Sequence, residues 1–257
     1  MRYRKGVVMV SGERDIPILA QVRNSKFVSH QQLFEFMQSG GHEYSRSSFN
    51  WRIKRLLDTG LLALCPGTLG RSTSAYLVTR EGLLYLEDHG HFATVLNSKT
   101  GHLPHPAHLH HALGLNNIHL ALLRSGVLAA WRSDVETASG NTISPAPLGK
   151  DYDAVVDVWN DGLLARFALE YERTLKSTRQ YEKIRHVLKT DTRVGCVLYL
   201  GSGSEVVVHL VREFSGISKR LAFATAQAFQ QQLLDVPVMT HPQQPVIGFR
   251  QLLRGMF

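Results

Sequence analysis

Lys150 to Arg185 reads KDYDAVVDVWNDGLLARFALEYERTLKSTRQYEKIR, and its alternation decides how the second half of the chain folds. In an extended first run, Asp151, Asp153, Val155 and Asp157 share one face and Tyr152, Ala154, Val156 and Val158 the other. In the second run, Arg166, Ala168, Glu170 and Glu172 share a face opposite Phe167, Leu169 and Tyr171. Asn160-Asp161-Gly162 between the two runs is a hairpin signal, because the tight turn needs residues that tolerate positive φ. A helix is expected from about Leu175, with Lys176, Arg179, Gln180 and Lys183 on one stripe.

Two adjacent strands carrying Asp153, Glu170 and Glu172 bring like charges together, which something positive must offset. One reading is a hard divalent ion, Mg²⁺ or Mn²⁺, on Asp153 and Glu170, with water and phosphate oxygens completing its shell. The other is a solvated acidic face paired with the basic stripe.

The chain's 257 residues suffice for one large or two modest domains, and 44% hydrophobic content is ordinary for a globular protein. A net charge of +8 favours a polyanionic partner. No apolar run is long enough to span a bilayer, and MRYRKGVVMVSGERD lacks the apolar core of a signal peptide. Cys65 and Cys196 are far apart and have no metal-ligand spacing, so a reduced cytoplasm is the expected location.

In the first ninety residues, helices are expected over Arg14–Arg23, with Pro17 tolerable in a first turn, over His30–Gln38 after a Ser29 cap, and over Ser45–Thr59. The third has Phe49, Ile53, Leu56 and Leu57 as its apolar stripe and leaves Arg46, Asn50, Arg52, Lys54 and Arg55 to face outward. A hairpin of Leu61–Leu64 and Ser74–Val78 follows, then a helix from Arg80 capped by Thr79. A helix with basic and amide side chains on its free face suits the major groove. Arg46, Ser48, Asn50, Arg52, Lys54 and Arg55 are therefore the DNA-binding candidates, Arg46 and Arg52 foremost, with Arg71 in the hairpin loop placed for a phosphate or the minor groove.

Residues 91–104 read as a linker between domains at 1–90 and 105–257. His105, His108, His110, His111 and His119 have no accompanying Cys or Glu at ligand spacing, and His108, His111 and His119 read as polar positions on a helix running to Arg124. Strands are expected at Val127–Thr137, Arg193–Leu200 and Glu205–Val211, a loop at Ser139–Gly149, and a helix over Lys219–Leu234.

Three resemblances follow. Three helices and a two-stranded wing over about residues 12–90 resemble the winged helix-turn-helix family. Asp153, the strand ending Glu170-Tyr171-Glu172 and the next helix resemble the PD-(D/E)xK nuclease fold. Here, however, Tyr152 stands where that motif has proline, and Glu172 where it has lysine. Taken whole, the HHALGLNNIHLALL helix, WRSD, DYDA and LEYERT resemble the replication-relaxation family.

These resemblances imply an α+β protein, a winged helix followed by an α/β restriction-endonuclease-like domain with a mixed central sheet. They imply a sequence-specific regulator of plasmid or mobile-element replication or transcription, binding double-stranded DNA as a homodimer, with a catalytically degenerate second domain and no cofactor. The alternative is a Mg²⁺-dependent DNA endonuclease or nickase. In it Asp153 and Glu170 hold the ion and Glu172 or Lys176 serves the attacking water. A protein-interaction adaptor that touches no DNA is a third, weaker reading.

Overall fold

A computed structural model describes residues 10–65, 75–93 and 108–255. The expected wing loop with Arg71, and most of the expected linker, lie outside the described residues. The chain is α+β and divides into two compact units, at Asn116/Asn117.

In the first unit the order is α1 (Gly12–Ser25), β1 (Val28–Ser29), α2 (His30–Ser39), α3 (Arg46–Asp58), β2 (Leu62–Leu64), β3 (Ala75–Val78) and α4 (Arg80–Asp88). The three strands form an antiparallel sheet in the order β1-β3-β2. Capping side chains set the helix starts. Ser29 and Gln32 form a reciprocal capping box, and Ser45 and Thr79 accept from the third backbone N–H of α3 and α4. α1 begins earlier than its apolar pattern suggests, so Pro17 falls beyond the first turn, a correction to the sequence reading. Ile18, Leu19, Val22, Phe27, Leu33, Phe49 and Leu56 are fully buried between these elements.

α5 (Leu109–Ser125) belongs to the first unit as far as Asn116, whereas the sequence reading ended that domain at residue 90. Its Leu113 carbonyl accepts from Gln32 Nε2 at 2.8 Å, and Asn116 Nδ2 donates to the Phe27 carbonyl at 2.8 Å. These bonds satisfy polar groups buried beside Phe27 and Leu109.

The second unit is built on a five-stranded sheet in the order β4-β5-β6-β7-β8. β4 (Leu128–Ser133), β5 (Ala154–Asn160) and β6 (Leu163–Glu172) are antiparallel neighbours, whereas β7 (Cys196–Gly201) and β8 (Arg220–Thr225) add on in parallel. Asp161 and Gly162 turn β5 into β6 with φ of 52° and 83°, the left-handed pair that a two-residue hairpin needs. α7 (Thr178–Thr190) and α8 (Ser204–Glu213) cover one face through Tyr181, Leu188, Val206, Val207 and Leu210. The other face receives α9 (Ala226–Gln232) and, after the short pair β9 (Pro237–Val238) and β10 (Ile247–Gly248), α10 (Phe249–Arg254). There Phe249 meets Phe167 edge-on at 5.1 Å.

Four expectations are corrected. The strand expected to run to Thr137 ends at Ser133, because Ser133 and Glu136 form a capping box that starts α6 (Asp134–Ile143) within the expected strand, and α6 runs on into the expected loop. Glu205–Val211 is helical, with Val206, Val207, Leu210 and Val211 buried in a helical rather than alternating pattern. Lys219–Leu234 is a buried strand followed by a helix that Thr225 caps. Lys176 precedes α7 and so lies off the stripe of Arg179 and Lys183.

Candidate nucleic-acid interface and acidic site

α3 sorts its basic residues into two classes. Phe49, Ile53 and Leu56 anchor one side, and a 3.6-residue repeat carries Arg52 to that side with them. Arg52 is 6% exposed; its Nε lies 2.8 Å from Glu43 Oε2 and its Nη1 3.6 Å from Asp15 Oδ1, both carboxylates being buried. The Glu43 contact is an ion pair rather than an aligned hydrogen bond. Arg55 pairs with Asp15 and lies over the Trp51 ring at 5.0 Å. The expectation that Arg52 and Arg55 face outward is thus corrected: both are engaged in holding α3 to the segment before it and to α1.

The opposite side of α3 is exposed and carries Arg46, Asn50, Trp51 and Lys54. Arg46 stacks over Phe34 at 4.5 Å and bonds Gln31 Oε1, which orients its guanidinium without burying it. Ser48 is half-buried, with its hydroxyl on Glu43 Oε2 at 3.2 Å. Asn50 is positioned by a relay that the sequence did not reveal. Burial, first among the causes, holds the His30 imidazole below its usual pKa range and favours the neutral ring. In the tautomer that satisfies both neighbours, Nδ1 accepts from Tyr76 OH at 2.8 Å and Nε2–H donates to Asn50 Oδ1 at 2.9 Å. That bond fixes the sense of the carboxamide and leaves its NH₂ as a donor on the exposed side of α3.

In the second unit, β5 and β6 are neighbours, and the register pairs Val155 with Ala168 and Asp157 with Arg166. Arg166 donates to both Asp157 oxygens, at 2.6 and 2.8 Å, and these bonds hold the Asp157 carboxyl below its ordinary range. Further along the same face, Asp153 Oδ2 accepts the Tyr171 backbone N–H at 2.8 Å. Glu170 is buried, and that burial, with Asp153 adding to it, pushes its carboxyl up to about 7 against the pull of Lys150. Lys150 Nζ lies 2.8 Å from Glu170 Oε2, and Lys176 pairs with Glu172. Glu170 Oε1 and the Tyr199 hydroxyl, on residues paired across β6 and β7, are buried with no hydrogen-bond partner among the described residues.

Asp153 and Glu170 are therefore brought together electrostatically, while Glu172 is taken by Lys176. Lys150, absent from the sequence-derived candidates, is the nearest cation to the buried carboxylate. Its only sequence signal was its position just before the first acidic residue of the opening stretch. Among the described residues no group of three or more His, Cys, Asp or Glu gathers at metal-binding geometry. His119, read as a polar helix position, instead stacks on Trp131 at 4.2 Å, and burial pushes its pKa down to about 3. Among the described residues no helix is long and apolar enough to cross a membrane.

No curated protein and no solved structure matches the chain. A family model described as replication-relaxation matches residues 19–190, the span that contains α3, Asp153, Glu170 and all of α7, and the chain belongs to that family.

Proposed function

We propose that the protein binds duplex DNA through the exposed side of α3, as a homodimer, in plasmid or mobile-element replication or its regulation, and that its acidic site is catalytically silent. Family membership points to a role in plasmid or mobile-element replication or relaxation, and so to DNA as a partner. The observation that carries the finer reading is α3 itself. One side is locked by apolar contacts and buried ion pairs, and the other displays Arg46, an oriented Asn50 and Lys54. The element order α1-β1-α2-α3-β2-β3, with an antiparallel β1-β3-β2 sheet, supports a winged-helix reading, in which the third helix enters the major groove. Silence at the acidic site is supported by Glu172 standing where the nuclease motif has lysine, and by Lys150 and Lys176 already neutralising Glu170 and Glu172.

Fluorescence anisotropy with a labelled family plasmid origin, in parallel with supercoiled plasmid incubated with Mg²⁺ or Mn²⁺, tests both halves. Tight, salt-sensitive binding without nicking is the expected result. No binding removes the first half, and metal-dependent nicking abolished by Asp153→Ala removes the second.

The endonuclease reading retains one specific support, the buried and unpartnered Glu170 Oε1 beside Asp153. Two carboxylates suit a hard divalent ion, so Asp153 and Glu170 are the residues that would hold Mg²⁺ or Mn²⁺. Such an ion polarises a phosphodiester and lowers the pKa of bound water. Lys150 would have to release Glu170, and Tyr199 would supply a hydroxyl beside it.

A further inference from the structure

The second unit holds two recesses that share Ser218, Lys219 and Arg220 at the start of β8. The smaller one, about 370 Å³, lies between the segment after α8, the loop joining β9 to β10, and α10. Its apolar lining includes Phe214, Ile217, Ile247 and Leu252. Its polar lining includes Ser215, Ser218, Lys219, Arg220, Thr240, His241 and Gln244, and no carboxylate among the described residues lines it. The volume falls in the range of small-molecule sites.

The hydrogen-bonding state of this lining is one-sided. Thr240 Oγ1 donates to Gln244 Oε1 at 2.9 Å, which occupies the amide oxygen and leaves the NH₂ as donor. The Gln243 backbone N–H donates to His241 Nδ1 at 3.2 Å, so the ring proton sits on Nε2, again a donor. Arg220 has no carboxylate partner among the described residues, and its guanidinium lies beside Gly255, in the lining of the second recess of about 570 Å³. Asp191, the acid of that second recess, is already engaged by the Tyr152 hydroxyl at 2.8 Å, by the Arg193 backbone N–H at 2.9 Å and by Lys219. Three donor-bearing side chains, Arg220, His241 and Gln244, therefore line one recess together with apolar side chains.

We infer that the smaller recess binds a small phosphate-bearing molecule, with the phosphate on Arg220, His241 and Gln244 and an apolar or planar portion against Phe214, Ile217 and Leu252. A phosphate offers an acceptor oxygen to each of three donor groups, and a planar guanidinium matches it bidentately. A recess of this volume suits a small ligand rather than a polymer backbone. The site is independent of the acidic one. Cys196 pairs with Arg220 at one end of β7, whereas Glu172 pairs with Gly201 at the other, roughly 17 Å of strand away. It is likewise independent of the reading of α3.

Isothermal titration of the full chain with adenosine monophosphate, then with inorganic phosphate as competitor, tests the inference. Saturable binding displaced by phosphate is expected, weakened at least tenfold in Arg220→Gln and several-fold in His241→Ala. Both variants should keep the wild-type circular dichroism. The inference is overturned if neither probe binds at millimolar concentration, or if both variants bind as well as wild type. It is also overturned if duplex DNA competes through Arg220 more strongly than the nucleotide, which would make the recess a backbone contact.

Discussion

Replacing Arg52 by alanine separates a groove-reading arginine from a structural one. Arg52 is 6% exposed and faces Glu43 and Asp15, which are 2% and 0% exposed. Breaking a buried pair from one side leaves a buried carboxylate uncompensated, at a cost of about 3–5 kcal/mol. Here the remaining partners moderate that cost. Asp15 keeps Arg55 and the Ser11 N–H at 2.6 Å, and Glu43 keeps the Ser48 hydroxyl and the Tyr44 N–H, each at 3.2 Å. The low end of the range, about 3 kcal/mol, is therefore expected for Arg52→Ala. For a unit of this size that lowers the melting midpoint by roughly 10–20 °C. Lys54→Ala, on the exposed side, should change stability by less than about 0.5 kcal/mol. Scanning calorimetry and urea unfolding of both variants measure this directly. If Arg52→Ala melts like wild type yet loses DNA binding, the ion-pair argument is wrong and Arg52 is an outward-facing reader.

Three further outcomes follow from local geometry. Gly162 sits at φ 83° in the β5–β6 turn, so Gly162→Ala should destabilise the second unit by roughly 1–2 kcal/mol in urea unfolding. A Cβ on Gly82 would come within 2.3 Å of the Leu61 carbonyl oxygen, so Gly82→Ala must shift α4 and should cost about 1–3 kcal/mol. Asp157 titrates below its ordinary value because Arg166 binds it. Its stabilisation is thus complete above the unfolded-state pKa and is lost as pH falls through the lower folded-state value. Arg166 is half exposed, so the effect should be modest, about 0.5–1 kcal/mol. Arg166→Met should remove it, visible as a flatter acid limb in stability against pH.

The hairpin at the centre of the second unit was legible because strict alternation and an Asp-Gly turn leave one register. The helices of the first unit were legible because Ser29, Ser45 and Thr79 stand at their starts. α8 was misread because valine runs favour strands intrinsically, while its burial at Val206, Val207, Leu210 and Val211 follows a helical period set by the sheet beneath it. β8 was misread for the converse reason: its alanines suit a helix, and only insertion beside β7 makes Leu221 to Ala224 a buried strand. The Ser133–Glu136 box, a serine followed three residues later by glutamate, is itself a sequence signal for the start of α6. At the sites, residue type alone could not separate Arg52 from Lys54. That division depends on where Glu43 and Asp15 fold to, and so does the role of Lys150 depend on the burial of Glu170.

The central claim is that α3 reads duplex DNA through Arg46, Asn50 and Lys54, and a salt titration of binding by wild type and Lys54→Ala tests it most directly. Phosphate contacts make log K fall linearly with log salt, and losing one contact reduces that slope by about one. Salt-dependent binding by wild type and a shallower slope for Lys54→Ala at unchanged thermal stability are the expected results. Absence of binding at low salt, or an identical slope and affinity in the variant, would contradict the claim.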